Sequence, residues 1–242
     1  MTLPVFWAPD AVAVVGATAR LEGDEARHAA VVRRIRPGEQ VVLTDGAGTA
    51  AVCEVTTAAR TVLEATVLSV SHAERHPLQL TVVQAIPKGD RGELAVEVLT
   101  EVGVDRIVPW SAARSVAVWR GERAQKSLAR WRSTAREAAK QSRRWWFPEV
   151  ADPAGTPTVT DLLASVDLAV VLHEDAQTSL GSLAMPEAGS VVVVVGPEGG
   201  IAPEELEAFT GAAVVRIGPT VLRTSTAGVA AAAALLSRTS RW

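Results

Sequence analysis

The segment SVVVVVGPEGG, residues 190–200, limits the fold of this chain more than any other stretch. Successive side chains of a strand point to opposite faces, so the five valines Val191 to Val195 require burial on both. A strand buried on both faces belongs in a parallel sheet covered by helices. The run stops in Gly196-Pro197-Glu198-Gly199-Gly200, a turn that exposes its backbone. Pro203 with Glu204 and Glu205 then reads as the first turn of a helix. Ligands of open parallel sheets bind beyond the carboxyl ends of the strands, where this turn falls. A small-molecule pocket is therefore expected here.

Residues 217–227, IGPTVLRTSTA, repeat the arrangement. A strand ends at Gly218-Pro219, and Thr224 or Ser225 is placed to cap a terminal helix. Helix N-termini attract anions such as a carboxylate. Arg223 puts a charge at the head of an apolar helix, an expensive place without a purpose. Leu172-His173-Glu174-Asp175 follows a third apolar run. None of these turns is a G-x-G-x-x-G dinucleotide fingerprint or a phosphate-binding loop ending in Lys-Ser/Thr. Three polar or glycine-rich strand ends within the last 75 or so residues nevertheless point to one ligand site.

The rest of the chain divides in rhythm. Residues 1–72 read as a small all-β unit with one helix: strands over Ala11–Val15, Val41–Thr44, Thr49–Val55 and Thr61–Val70, and a helix over Ala26–Ile35. Strands at this spacing predict a small barrel. From residue 73 strands alternate with helices, which predicts a mostly parallel sheet covered on both faces. The strands fall over Leu80–Ala85, Arg106–Trp110, Leu168–Leu172, the valine run and Ala213–Ile217. The helices fall over Glu93–Val102, Glu122–Arg144, Val159–Ser165, Gln177–Leu183, Pro203–Thr210 and Thr224–Arg238. With 242 residues and 48% apolar content, a substantial core is available. No apolar run approaches the roughly 18 residues of a membrane helix, so a soluble cytoplasmic protein is expected. A lone Cys53 in an apolar-polar alternation reads as a buried structural thiol, and no metal-ligand spacing occurs.

A net charge of −3 hides an asymmetry: from Ala112 to Val150 ten Lys and Arg stand against three Asp and Glu. A basic stripe on an otherwise acidic chain suits a polyanion. Arg123, Lys126, Arg130, Arg136, Lys140, Arg143 and Arg144 run along the long helix, with Trp131, Trp145 and Trp146 interleaved. Trp131 reads as core; the cluster Arg143-Arg144-Trp145-Trp146 reads as an RNA or interface contact, through phosphate pairing and base stacking.

These features together resemble the bacterial small-subunit ribosomal-RNA methyltransferase E family of the SPOUT class. The resemblance runs through Phe6, His28 with Val32-Arg33 and Arg36-Pro37-Gly38, and Gln84-Ala85-Ile86-Pro87-Lys88-Gly89-Asp90. It continues through Arg114-Ser115-Val116, Glu137-Ala138 with Gln141-Ser142-Arg143, GPEGG, and Leu222-Arg223-Thr224 with Thr226-Ala227. This chain has Ser225 where the family usually has Glu. The resemblance implies an α/β fold: a PUA-like β-barrel over 1–72 and a SPOUT methyltransferase domain over 73–242, with a parallel sheet and a C-terminal trefoil knot. It implies methylation of uridine N3 in 16S rRNA of the small ribosomal subunit, S-adenosylmethionine as cofactor, and a homodimer. The cofactor is expected on Leu172, His173 and Glu174; on Val195, Gly196, Pro197, Glu198, Gly199 and Gly200; and on Ile217, Gly218, Val221, Leu222, Arg223, Thr224, Thr226 and Ala227.

Uridine N3 is a poor nucleophile until it loses its proton. A cation, Arg223 or Arg114, is expected to stabilise the anion, and Glu198 to accept the proton. Arg33, Arg34, Arg36, Lys88, Arg114, Arg143 and Arg144 are expected to meet RNA. Two other readings stay open on the residues alone: an RNA-binding module without catalysis, and a related SPOUT enzyme acting on tRNA or on ribose.

Overall fold

A computed structural model describes residues 3–10 and 14–242, and its contacts divide the chain into two units. The first comprises residues 1–75 and 139–147. It contains β1 (Val5–Trp7), β2 (Thr18–Glu22), α1 (Gly23–Arg27, widening into a π-helical turn over His28–Val32), β3 (Gln40–Thr44), β4 (Thr49–Ala58) and β5 (Val62–His72). The strand order is β1-β3-β4-β5-β2, with β1 parallel to β3 and the other pairs antiparallel. Phe6 on one edge strand and Ala19 and Leu21 on the other share one buried cluster with Val41, Leu43, Cys53 and Leu63. Opposite edges reach a common core only if the sheet curls, as the expected barrel requires.

The hairpin between β3 and β4 forms where the Asp45-Gly46-Ala47-Gly48 turn is expected. Asp45 Oδ1 accepts from the N–H groups of Ala47 and Thr49 at 2.7 and 2.9 Å. The strand expected over Ala11–Val15 falls partly outside the described residues, and Val14 and Val15 are exposed and in no strand. The edges are instead the short β1 and β2.

Residues 139–147 are built into this unit, which corrects two expectations. Lys140, counted with the basic stripe, is buried with its Nζ 2.7 Å from Glu25 Oε1. Trp146 is docked: its Nε1 donates to Ala73 O at 2.9 Å and the Arg75 guanidinium sits 5.0 Å from its ring. Gly48, at φ +100°, leaves the space this indole fills, since a Cβ there would lie 2.6 Å from it.

The second unit, residues 76–138 and 148–242, opens with β6 (Leu78–Ala85), α2 (Arg91–Val102), β7 (Arg106–Trp110), α3 (Gly121–Gln141, whose last three residues belong to the first unit) and β8 (Glu149–Val150). It continues with α4 (Thr156–Ala164), β9 (Leu168–Leu172), β10 (Gly189–Val195), α5 (Pro203–Ala208), β11 (Ala213–Val215) and α6 (Thr224–Leu236). All six strands are parallel, in the order β11-β9-β10-β6-β7-β8. The valine run behaves as its pattern demands. Val191, Val193 and Val195 join a core with Leu99 of α2 and Leu235 of α6; Val192 and Val194 face the other core, with Val159 of α4 and Phe209.

Trp131 lies in the first of these cores, edge-on to Trp119 at 5.0 Å. α3 stops at Gln141, short of the expected Arg144. Two of its exposed cations are held by neighbours: Arg130 pairs with Glu93, and Arg132 with Asp152 and the Val150 carbonyl. The helix expected over Gln177–Leu183 is only a 3-10 turn over Leu180–Ser182, begun by Ser179 Oγ accepting from the Gly181 N–H. Among the described residues no helix is long and apolar enough to cross a membrane.

Candidate functional site

Strands β11, β9 and β10 are neighbours in the sheet and run the same way, so their carboxyl ends and following loops share one edge. There they surround a cavity of about 630 Å³. The first loop contributes Leu172, His173 and Glu174. The second contributes Val195 and the whole Gly196–Gly200 turn. The third contributes Ile217, Gly218, Val221, Leu222, Arg223, Thr224 and Ala227. Arg114 reaches the same cavity from the loop after β7. The proposed cation and base residues Arg223, Arg114 and Glu198 are thereby brought together.

Thr226 is not. Its hydroxyl donates back to the Arg223 carbonyl at 3.3 Å and does not line the cavity. Arg33, Arg34, Arg36, Arg143 and Arg144 belong to the first unit. The α6 cap also differs from expectation. Arg223 itself occupies the cap position, with extended backbone and no side-chain cap bond, and Thr224 and Ser225 are buried in the first turn. Ser225, Asp175 and Arg91 line the cavity without having been singled out as ligands. Asp175 and Ser225 adjoin residues that were; Arg91 begins a helix in a distant part of the chain, and no local pattern marks it.

The glycine turn is shaped by its neighbours. Gly196 cannot carry a Cβ without meeting Ile201 at 2.8 Å, and a Cβ on Gly199 would lie 3.1 Å from both Cβ and O of Arg114. The Gly200 N–H closes the turn on Pro197 O at 2.9 Å. Glu198 Oε1 accepts from the Lys88 N–H at 3.2 Å, which ties this turn to the loop after β6. Behind the cavity, the buried Gln84 amide donates to Ala85 O and to Thr224 O at 3.0 and 3.2 Å, linking β6 to the first turn of α6. His173 Nδ1 accepts from the Asp175 N–H at 3.2 Å, so the loop after β9 closes on its own ring. The arrangement offers apolar walls, close-approach backbone, the carboxylates of Glu174, Asp175 and Glu198 and the guanidinium groups of Arg91, Arg114, Arg216 and Arg223 around a space of ligand size.

Family comparisons agree with this architecture. A model described as an RNA methyltransferase domain matches residues 74–236, and one described as an RNA methyltransferase PUA domain matches residues 21–68. The fold and the matched segments define an RNA-methyltransferase α/β domain joined to a PUA domain. Ribosomal RNA small subunit methyltransferase E of Mycobacterium tuberculosis is 50% identical over 239 residues, 96% of this chain and 91% of that protein. The chain belongs to the ribosomal RNA small subunit methyltransferase E family. A member from Neisseria gonorrhoeae, crystallised with S-adenosylmethionine, is 31% identical with a TM-score of 0.88 over 98% of both chains. A Legionella pneumophila protein holding the same cofactor is 26% identical with a TM-score of 0.91 over 99% of both chains.

Proposed function

We propose that this chain methylates N3 of one particular uridine in the 16S RNA of the small ribosomal subunit, with S-adenosylmethionine as methyl donor, in the cytoplasm. In this reading it works as a homodimer, with residues 1–72 as the RNA-binding PUA-like domain. Residues 73–242 form the methyltransferase domain, whose last crossovers thread the SPOUT knot. The observation that carries the reading is the convergence of three neighbouring strand ends on one cavity.

The residues present fit the cofactor. Leu172, Val195, Ile217 and Leu222 give apolar wall for an adenine, and the cavity is ample for a bent adenosyl ligand. Gly196 and Gly199 keep side chains out of the way, so backbone amides and carbonyls meet polar edges directly. When bound, the cofactor supplies an electrophilic methyl carbon on a sulfonium. The chain's own work is positioning and proton handling. Glu198 accepts the N3 proton, and its carboxylate is steadied by the Lys88 amide. Arg223 or Arg114 stabilises the negative charge left on the uracil. Holding N3 in line with the methyl carbon supplies several kcal/mol of barrier lowering, up to about 7–11 in the best cases. Arg33, Arg34, Arg36, Lys88, Arg114, Arg143 and Arg144 contribute phosphate contacts.

The test uses tritiated S-adenosylmethionine and ribosomal RNA or small subunits from a strain lacking this gene. Transfer of label, with mass spectrometry finding one N3-methyluridine after digestion, is the expected result. Label on ribose or in tRNA, or no transfer, overturns it.

A further inference from the structure

The outer face of the curled sheet in the first unit has an unusual composition. The register places Val5 beside Val42, Val42 beside Val52, Thr44 beside Ala50 and Ala50 beside Ser71. Sheet faces turned away from their core ordinarily carry polar side chains. At the end where these residues meet, this face is mostly aliphatic across three strands, and it turns polar farther along, where Gln40 lies beside Glu54. With Leu3 and Trp145 these residues enclose a second cavity of about 320 Å³, with Arg143 and Arg144 also in its lining. That volume is at the small end of ligand sites, roughly 300–1,000 Å³.

Arg143 adds an independent observation. Its φ is +56°, in the left-handed region, where it helps close the C-terminus of α3: its N–H meets Lys140 O at 3.2 Å and the Arg144 N–H meets Ala139 O at 2.9 Å. Glycine is the residue that suits such a position, and a side chain there is strained. The chain instead keeps an exposed cation beside an apolar cavity. A flat apolar body carrying an anion is the ligand such a pair of features complements.

We propose that this cavity holds one unstacked base of the substrate RNA, stacked against Trp145, with an adjoining phosphate on Arg143; the proposal rests on the RNA-methylating function above. The Thr44 hydroxyl is already engaged, donating to Thr49 O at 2.8 Å and accepting from the Gly46 N–H at 3.1 Å. Beside the stacking Trp145, the Ser71 hydroxyl is then the one neutral polar side-chain group left in the lining to meet a base edge, and the site selects bases mainly by shape and stacking. It grips a nucleotide away from the one methylated.

Arg143→Gly separates this from a structural role, because glycine relieves the backbone strain while removing the cation. The full-length variant is titrated with a fluorescent single-stranded segment of 16S RNA across a salt series. Affinity is expected to fall about tenfold, with a log–log salt slope smaller by about one and a melting temperature equal to or above wild type. Trp145→Ala is expected to weaken binding by a similar factor with the salt slope unchanged. S-adenosylhomocysteine binding, followed by calorimetry, stays as in wild type for both. RNA affinity equal to wild type in both variants overturns the proposal while leaving the methyltransferase reading intact. Loss of self-association in sedimentation equilibrium, with RNA affinity unchanged, also overturns it by making this face a contact between copies. A wild-type protein that binds no RNA removes both readings together.

Discussion

The backbone N–H of Ala113 donates to Glu205 Oε1 at 2.8 Å, which fastens the loop carrying Arg114 to the helix behind the glycine turn. The same oxygen accepts from Thr156 Oγ1 at 2.7 Å, and Oε2 accepts from the Ala202 N–H at 3.2 Å. Glu205 is buried, so each donor depends on it. Replacing it with Ala strands three donors and is expected to cost roughly 2–4 kcal/mol. Urea unfolding should show a lower midpoint at unchanged slope. Glu205→Gln keeps one acceptor and is expected to lose less stability. Below both unfolding transitions its methyl-transfer rate should still fall more than its cofactor affinity, because Arg114 is no longer held in place. Equal losses in rate and affinity would reduce Glu205 to a structural role.

A second buried pair closes the end of the methyltransferase unit. Arg241 and Asp105 side chains are 12% and 9% exposed. Arg241 Nη2 donates to Gly103 O at 2.7 Å and to Asp105 Oδ1 at 3.2 Å, while Asp105 Oδ2 also accepts from the Leu80 N–H at 2.8 Å. Removing one partner of a buried pair leaves the other charge uncompensated. Arg241→Met is expected to destabilise by about 3 kcal/mol. Combining it with Asp105→Ala should cost less than the two single losses together. Strict additivity in thermal unfolding would show that the two side chains do not act as a pair.

What could be read from the chain was whatever has a local period. The valine run declared a doubly buried strand, and the three turns after β9, β10 and β11 declared one edge, because parallel neighbours must present their ends together. Sheet neighbours are not local, so Arg91 gave no sign of reaching the cavity although it begins a helix directly after the Pro87-Lys88-Gly89 loop. Thr226 failed for the opposite reason. It sits inside a stretch of ligand-like sequence, but one helical step turns its hydroxyl back to Arg223 O. β1, of three residues, is too short to show alternation, whereas β2, Thr-Ala-Arg-Leu-Glu, alternates in full with Ala19 and Leu21 inward and was legible, although it is not among the expected strands. Trp146 and Lys140 look like surface groups on a basic helix until Ala73 and Glu25, more than 70 residues away in sequence, are brought against them. Gln177–Leu183 contains Thr178, Ser179, Gly181 and Ser182, all weak helix formers, and Ser179 diverts it by bonding its own turn.

Cys53 offers a test by pH. Its thiol is buried in the curled sheet, and burial pushes its pKa from the ordinary 9.0 up to about 11. The native thiol therefore stays protonated at pH 8 and should resist iodoacetamide until the protein is unfolded. A pKa higher in the folded than in the unfolded state favours folding fully below pH 9. That contribution is lost as pH rises from about 9 to 11. Cys53→Ala, which lacks the ionisation, should show a flatter decline in stability over that window. Identical declines in denaturant titrations of the two proteins would contradict this.

Glu198 is the sharpest test of the chemistry. Glu198→Gln retains an oxygen for the Lys88 N–H, so the turn and the cofactor cavity should keep their shape. It removes the proposed proton acceptor. Single-turnover transfer at pH 7 is expected to slow by about 10² to 10⁴, with cofactor affinity within a factor of about two. The deficit should shrink as pH rises, because uridine N3 then ionises without help. Gly199→Ala supplies the geometric counterpart: its Cβ, 3.1 Å from the Arg114 backbone, must push that loop outward. Its rate loss should persist at every pH, since displacement of a cation is not relieved by hydroxide. If the two variants share one pH profile, Glu198 is acting on position alone and another group takes the proton.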